Sequence, residues 1–136
     1  MTMSTEQHVA LVIVSHSTSI AAGVAELVGQ VAGPDVPIVT AAGGPDGSLG
    51  TDGGRVADVL REAVNGNGAV VLADLGSAVL SVRAALRELG STADSIVLVD
   101  APLVEGAVAA GVMASTGASL ADVATAAEAA WNARKL

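Results

Sequence analysis

The sequence contains no cysteine, phenylalanine or tyrosine, and Trp131 is its one aromatic residue. Without cysteine there can be no disulfide, thiolate metal site or cysteine nucleophile. Without aromatic rings, the core of this 136-residue chain has to be built from Val, Ala, Leu and Ile. Trp131 is predicted to anchor the core or an interface, rather than to serve as a platform for a substrate.

Basic residues are also scarce, with six Lys and Arg against fourteen Asp and Glu, which gives a net charge of −8. Nucleic-acid binding requires a basic face, so this function is disfavoured, while a partner with a basic docking surface stays compatible. The polar N-terminus has no basic region and precedes only a short apolar run, which predicts neither a signal peptide nor a membrane span. We therefore expect a cytoplasmic protein with a tail at 1–8 and a single domain at 9–136.

Short apolar runs rich in β-branched residues alternate with segments of helical periodicity. The predicted strands are 9–14, 36–41, 69–73 and 95–99, and the predicted helices are about 17–31, 53–64, 77–89, 103–115 and 120–133. The strands are continuously apolar rather than alternating, which indicates burial on both faces. We therefore predict a single-domain, doubly wound α/β fold whose mostly parallel sheet has four or five strands and helices on both faces.

His16 directly follows the first predicted strand, in the segment SHSTS, where a helix is about to begin. Ligands of such sheets bind beyond the carboxyl ends of the strands, so its imidazole is predicted to project into this crevice. A neutral imidazole nitrogen is a competent nucleophile, and a helix N-terminus favours a phosphoryl group. A structural histidine in a capping turn remains the alternative.

Asp74 ends the third predicted strand, in VVLADLGSA, and is the natural companion of His16. Its carboxylate is predicted to accept a hydrogen bond from one ring nitrogen and to leave the other nitrogen free to attack. The alternative is a helix-capping or turn aspartate. Ser77, three residues later, is a helix cap, a hydroxyl for phosphoryl oxygens, or both.

The glycine-rich stretch AAGGPDGSLGTDGGR is a possible anion cradle, in which Thr51 or Asp52 caps the next helix and Arg55 lies in that helix's first turn. It lacks the GK[ST] ending of a Walker A loop and does not match GxGxxG. For the glycine-rich part alone, a mobile loop without a chemical role is the favoured interpretation. No GxSxG, HExxH or histidine pair at ligand spacing occurs, so no metal site is predicted, and Glu105 is expected to be a helix-start residue.

Four segments together resemble one family. They are LVIVSHSTSIAAGVAELV, GTDGGRV, VLADLGSAVLS and APLVEGAVAA, in this order, and they cover residues 9 to about 133. They resemble the phosphotransferase subunit of the bacterial PEP-dependent dihydroxyacetone kinase, whose leading domain is related to the IIA domains of the mannose-family sugar phosphotransferase system. DLGSA and PLVEGA are the specific pieces, while a strand ending in SHS is shared by the broader mannose-type group.

The resemblance implies that His16 is the active-site histidine, that Asp74 orients it, and that the chain is a homodimer. His16 would accept a phosphoryl group from the phosphocarrier HPr and pass it to ADP on the nucleotide subunit of the kinase. The chain itself would bind no cofactor: it would carry the PEP-derived group as a phosphohistidine, and magnesium would stay with the nucleotide on the partner. The residues predicted to surround the phosphoryl group are Ser15, Ser17, Thr18, Thr51 and Ser77, with Arg55 as a hypothesis.

Two other functions stay open at this point. The first is a mannose-type IIA domain that passes the group to a IIB domain in sugar uptake. The second is a non-catalytic α/β binding module, in which His16 is a ligand contact or a sensor and never forms a phosphohistidine.

Overall fold

In the computed structural model, which describes residues 8–136, strands and helices alternate along the chain. The strands are β1 (Ala10–Ser15), β2 (Ile38–Ala42), β3 (Ala69–Ala73) and β4 (Ile96–Leu98). The helices are α1 (Thr18–Ala32), α2 (Gly53–Ala63), α3 (Gly76–Leu89), α4 (Leu103–Ser115) and α5 (Leu120–Ala129). Short 3₁₀ helices follow α3 and α5, at Gly90–Ala93 and Ala130–Asn132. None of the helices in the described range is long and apolar enough to span a membrane.

The sheet is parallel throughout, with the strand order β2-β1-β3-β4. The two central strands, β1 and β3, are buried at every position except one end of each. Continuous apolar runs predict this burial, because a parallel sheet is covered by helices on both faces. The predicted doubly wound α/β fold is confirmed, and the sheet has four strands in the described part of the chain.

The helices form two layers: α1, α4 and α5 pack on one face of the sheet, and α2 and α3 pack on the other. Because β1 is followed by α1 and β3 by α3, the chain leaves these two neighbouring strands toward opposite faces. Such a divergence opens a crevice at the carboxyl ends of the two strands. His16 and Asp74 are the first residues after β1 and β3, so both lie at this crevice.

The two ends of the described chain differ from the sequence-based expectation. His8 was assigned to the tail, but its Nδ1–H donates to the carbonyl oxygen of Ala114 over 2.8 Å, so the folded part already includes this residue. The rest of the predicted tail, 1–7, lies outside the described residues. Trp131 is 59% exposed, and its Nε1–H donates to the carbonyl oxygen of Asp100 over 2.9 Å. A core position for Trp131 is therefore wrong, and its role as an interface anchor stays a prediction.

Close packing of α1 on α4 depends on a glycine. A Cβ atom added at Gly111 of α4 would lie 2.5 Å from Cγ1 of Val28 and 3.3 Å from Cβ of Ala32. Val28 is fully buried and β-branched, so its side chain has little freedom to move aside. The small residues of the chain thus allow these two helices to pack at a short distance.

We expect Gly111→Ala to lower the free energy of unfolding by about 1–2 kcal/mol, because overpacking a tight core costs about 1–3 kcal/mol and alanine returns up to about 1 kcal/mol of helix propensity. The matched control is Gly23→Ala on α1, where an added Cβ meets nothing within 4 Å. That control should raise the stability by about 0.5–1 kcal/mol. Urea unfolding measures both changes, and equal shifts of the two variants would contradict this account of the packing.

Candidate functional site

The imidazole of His16 is fixed through one nitrogen and left available through the other. Its Nδ1 lies 2.9 Å from Oδ1 of Asp74, and 22% of its side chain is exposed. An ionised carboxylate can only accept, so Nδ1 carries the proton and donates it to this bond. The lone pair is then on Nε2, which is hydrogen-bonded to the hydroxyl of Ser77 at the surface. This tautomer leaves Nε2 as the nucleophilic atom.

Asp74 accepts four hydrogen bonds at the end of β1. Its Oδ2 accepts from the Ser15 hydroxyl at 2.8 Å and from the His16 backbone N–H at 3.0 Å. Its Oδ1 accepts from the His16 ring at 2.9 Å and from the Leu75 backbone N–H at 2.7 Å. Burial by itself raises the pKa of Asp74, but the bonds from His16, Ser15 and Leu75 outweigh it and hold the pKa below its ordinary value. The carboxylate therefore stays ionised.

Helix N-termini converge on the same crevice. α1 begins two residues after His16, and α3 begins two residues after Asp74. The first backbone N–H groups of a helix have no partner within it, and this end carries a partial positive charge. Ser77 is the second residue of α3, so its exposed hydroxyl lies next to these groups. The arrangement favours an anionic group bound at Nε2 of His16.

The serines that flank His16 differ from the prediction in one case. Ser15 is fully buried, donates its hydroxyl proton to Asp74, and accepts from the Ser17 backbone N–H at 3.1 Å. Its predicted contact with a phosphoryl group is therefore corrected: alternation along β1 turns this side chain inward, where it supports the carboxylate. Ser17 is the N-cap of α1, and its Oγ accepts from the backbone N–H of Ile20 at 3.2 Å.

The glycine-rich segment is tied to the site by backbone hydrogen bonds. Gly50 N–H donates to the His16 carbonyl oxygen at 3.0 Å, and Gly43 N–H donates to the Ser15 carbonyl oxygen at 3.1 Å. Gly43 has φ = 80°, a backbone conformation that residues with a Cβ atom rarely adopt. A Cβ there would also lie 2.9 Å from Cγ2 of Thr18, so both the backbone and the available space exclude a larger residue. These bonds hold the segment beside His16, although the sequence favoured a mobile loop for its glycine-rich part.

Thr51 and Arg55, which were also predicted to contact a phosphoryl group, lie in different surroundings. Thr51 forms an isolated bridge with Gly43, and its hydroxyl oxygen is buried without a hydrogen-bond partner in the described part of the chain. Asp52 caps α2 by accepting from the backbone N–H of Arg55 at 3.2 Å. Arg55 itself is exposed in the first turn of that helix.

Two further features of the site were not anticipated from the sequence. Leu75, between Asp74 and the start of α3, is 61% exposed although it is a large apolar residue. Leu49, next to Gly50 in the glycine-rich segment, is 80% exposed. The sequence could have indicated both features, because each of these two polar or glycine-rich loops after a strand contains a leucine.

No cluster of three or more His, Cys, Asp or Glu side chains within residues 8–136 is arranged to hold a metal ion.

Glu105 lies in the first turn of α4, as predicted for a helix-start residue. Its Oε2 accepts from Nζ of Lys135 at 2.5 Å, and this bond lowers the pKa of Glu105. The pair joins the end of the chain to α4.

Comparison with known proteins identifies the family of this chain. Residues 10–124 match the EIIA-man family, described as the PTS system fructose IIA component. The chain belongs to this family. It is 37% identical over 105 residues to the protein named PEP-dependent dihydroxyacetone kinase 2, phosphoryl donor subunit DhaM, of Listeria innocua serovar 6a, with 76% of this chain and 84% of the relative covered.

Other members of the family differ from this chain in length. The Escherichia coli K12 protein named PEP-dependent dihydroxyacetone kinase, phosphoryl donor subunit DhaM, is 39% identical over 114 residues, which cover 81% of this chain but 24% of that protein. This chain thus corresponds to about a quarter of the longer relative and to most of the shorter one. A crystal structure of EF1359, a protein of unknown function, superposes with a TM-score of 0.80 at 36% identity, covering 89% of this chain and 93% of that one.

Proposed function

We propose that this EIIA-man family member is the phosphoryl carrier of a PEP-dependent dihydroxyacetone kinase. Nε2 of His16 accepts a phosphoryl group from HPr and transfers it to ADP bound on the nucleotide subunit. The single observation that carries this proposal is the His16 ring itself, held at Nδ1 by Asp74 with Nε2 beside the hydroxyl of Ser77. The printed names of the curated relatives, phosphoryl donor subunits of this kinase, supply the substrate system.

In the proposed transfer, the lone pair of Nε2 forms a bond to phosphorus while the bond from phosphorus to the donor histidine breaks, and its electrons return to the donor ring. The reaction is mainly a matter of in-line positioning. Asp74 remains ionised and keeps the proton on Nδ1, so it stabilises the positive charge that the ring gains as Nε2 is phosphorylated. Transfer to ADP reverses these steps at His16.

The oxygens of the bound phosphoryl group would be received by donors at the helix N-termini. Ser77 would turn its hydroxyl from Nε2 toward a phosphoryl oxygen, and the backbone N–H of Thr18, the first residue of α1, would lie on the other side. Thr51 and Arg55 remain hypotheses: the Thr51 hydroxyl would first have to be uncovered. Because the group must leave again, these contacts should bind it only moderately.

The proposal implies a defined set of partners. The donor is HPr, the acceptor is the ADP-loaded nucleotide subunit, magnesium stays with that nucleotide, and this chain functions as a cytoplasmic homodimer without a resident cofactor. A mannose-type IIA domain would share the first step and differ in the acceptor, which would be a IIB domain. A non-catalytic binding module would share neither step.

The test is intact-mass analysis after incubation with PEP, enzyme I and HPr. We expect an acid-labile gain of one phosphoryl group, and loss of this group when the ADP-loaded nucleotide subunit is added. Retention of the group in that mixture, with release to a IIB domain, would favour the sugar-uptake function. No gain with donors shown to be active on another IIA domain would reject the carrier function altogether.

A further inference from the structure

Among the described residues, Ser15 is the one polar residue that is buried, with none of its surface exposed. It ends β1, in which the four residues before it are buried and apolar. Burying a hydroxyl among apolar side chains costs free energy unless the hydroxyl is hydrogen-bonded. Alanine would fill almost the same space without this cost, so the hydroxyl of Ser15 needs an explanation other than packing.

The Ser15 hydroxyl makes one hydrogen bond as a donor and one as an acceptor. It donates its proton to Oδ2 of Asp74 over 2.8 Å, and its oxygen accepts from the backbone N–H of Ser17 over 3.1 Å. These partners belong to different elements, since Asp74 follows β3 and Ser17 is the N-cap of α1. A single side chain therefore joins the end of β1 to the end of β3 and to the start of α1.

Both bonds constrain His16, which lies between Ser15 and Ser17 in the chain. The bond from Ser17 closes a short turn around the His16 backbone, of the kind that serine hydroxyls form with a backbone group two residues later. The bond to Asp74 holds Oδ2, while Oδ1 of the same carboxylate accepts from the His16 ring at 2.9 Å. The Ser15 hydroxyl thus fixes the backbone of His16 directly and its ring through Asp74.

The other donors to Asp74 hold it less completely. Two of them are the backbone N–H groups of His16 and Leu75, and the third is the ring whose direction has to be set. The terminal torsion of an aspartate side chain is broad, so the number of donors decides how firmly the carboxylate plane is fixed. Without the Ser15 hydroxyl, Oδ2 would keep a single donor, and the ring of His16 would follow a carboxylate that is free to rotate.

We propose that Ser15 is a positioning residue for phosphoryl transfer, whose hydroxyl orients Nε2 of His16 by fixing both the carboxylate of Asp74 and the backbone turn at His16. The inference rests on the proposed function and adds to it a residue that does not contact the phosphoryl group. Because Ser15 has no exposed surface, it acts on the transfer step and not on the binding of the donor protein.

The test is the rate of phosphorylation of Ser15→Ala as a function of phospho-HPr concentration, with urea unfolding to verify that the variant is folded. We expect kcat to fall about ten- to a hundredfold, because a small misplacement of a reacting group has an effect of this size, and KM to change less than about twofold. Ser15→Thr keeps the hydroxyl and should restore most of the lost kcat. The control is Ser115→Ala, which removes a hydroxyl bonded to the Val112 carbonyl oxygen on α4 and should change neither constant.

A second measurement does not depend on the rate. The proton that Nδ1 of His16 donates to Asp74 should give a downfield NMR signal in the wild type, and its absence from His16→Gln assigns it. We expect this signal to be broadened or lost in Ser15→Ala, because a ring that is no longer held exchanges its proton with water faster. If the alanine or the threonine variant does not fold, Ser15→Cys replaces it, since a thiol is a weaker donor of similar shape and should give an intermediate kcat.

Three results would overturn the inference. The first is an unchanged kcat and an intact NMR signal in Ser15→Ala, and the second is a rise in KM at constant kcat. The third is an equal loss of kcat in folded Ser15→Ala and Ser15→Thr, which would make packing, rather than the hydroxyl, responsible. In each case the wild type is still phosphorylated, so the proposed function stands. If the wild type accepts no group, the proposed function fails, and the NMR signal alone decides whether Ser15 holds the ring.

Discussion

The variant His16→Gln is expected to fold like the wild type and to accept no phosphoryl group from HPr. Glutamine approaches histidine in length and polarity, but its amide nitrogen has no available lone pair with which to attack phosphorus. Loss of a nucleophile typically costs several orders of magnitude, so we expect the rate of phosphorylation to fall at least roughly 10⁴-fold. Intact-mass analysis with PEP, enzyme I and HPr measures this directly.

The chain provides its own control, because His8 is its only other histidine. The His8 ring lies at the opposite end of the sheet, bonded to Ala114 near the end of α4. His8→Gln should therefore keep the full phosphorylation rate, although it loses one hydrogen bond and about 0.5–1.5 kcal/mol of stability. An acid-labile phosphoryl group on His16→Gln that disappears in the double variant would move the carrier site to His8 and contradict the assignment of His16.

The strands and helices could be predicted from the sequence because their apolar residues follow clear patterns. β3 was located without error at both ends, since 69–73 is a continuous apolar run between Gly68 and Asp74. β4 was predicted too long, because hydrogen bonding to a single neighbour defines its ends and the sequence does not contain that pairing. The last helix becomes a 3₁₀ turn after Ala129. Alanine favours a continued α-helix, so the sequence did not predict this change, which accompanies the hydrogen bond from Trp131 to Asp100.

The site was predictable to the extent that topology places residues together. Parallel strands bring their carboxyl ends to one edge, so a histidine after β1 and an aspartate after β3 were expected to meet. The direction of each side chain was harder to foresee: Ser15 was expected at the phosphoryl group but turns inward to Asp74. The exposure of Leu49 depends on hydrogen bonds within its loop, which no periodic pattern in the sequence records.

The second large effect is expected for Asp74→Asn, which should reduce kcat for phosphorylation of His16 by roughly 10²–10⁴-fold. All four groups around the carboxylate are donors, whereas an amide offers one accepting oxygen and one NH₂ group. If the NH₂ faces the ring, it donates to Nδ1 and forces the proton onto Nε2, which blocks attack. If the oxygen faces the ring, the NH₂ opposes the hydroxyl of Ser15 and the backbone N–H of His16, and the ring is no longer held in place.

Asp74 acts through His16, so KM for phospho-HPr should stay close to the wild-type value while kcat falls. Asp94→Asn is the matched control, because this exposed aspartate precedes β4 at the opposite end of the sheet. A rise in KM with unchanged kcat would indicate that Asp74 contributes to the binding of phospho-HPr instead. Unchanged constants would show that Nε2 is presented equally well without the carboxylate.

The free energy of unfolding of Asp74→Asn, compared with that of the wild type, also tests the lowered pKa of Asp74. The pKa is lower in the folded chain than its ordinary value of 3.8, so the carboxylate stabilises the fold above that value, and this contribution is lost as the pH falls through the lower folded pKa. The wild type should therefore be more stable than Asp74→Asn at neutral pH, and the difference should shrink below about pH 4. Urea unfolding across this range measures it, and a difference independent of pH would mean that packing of the side chain, rather than its charge, stabilises the end of β1.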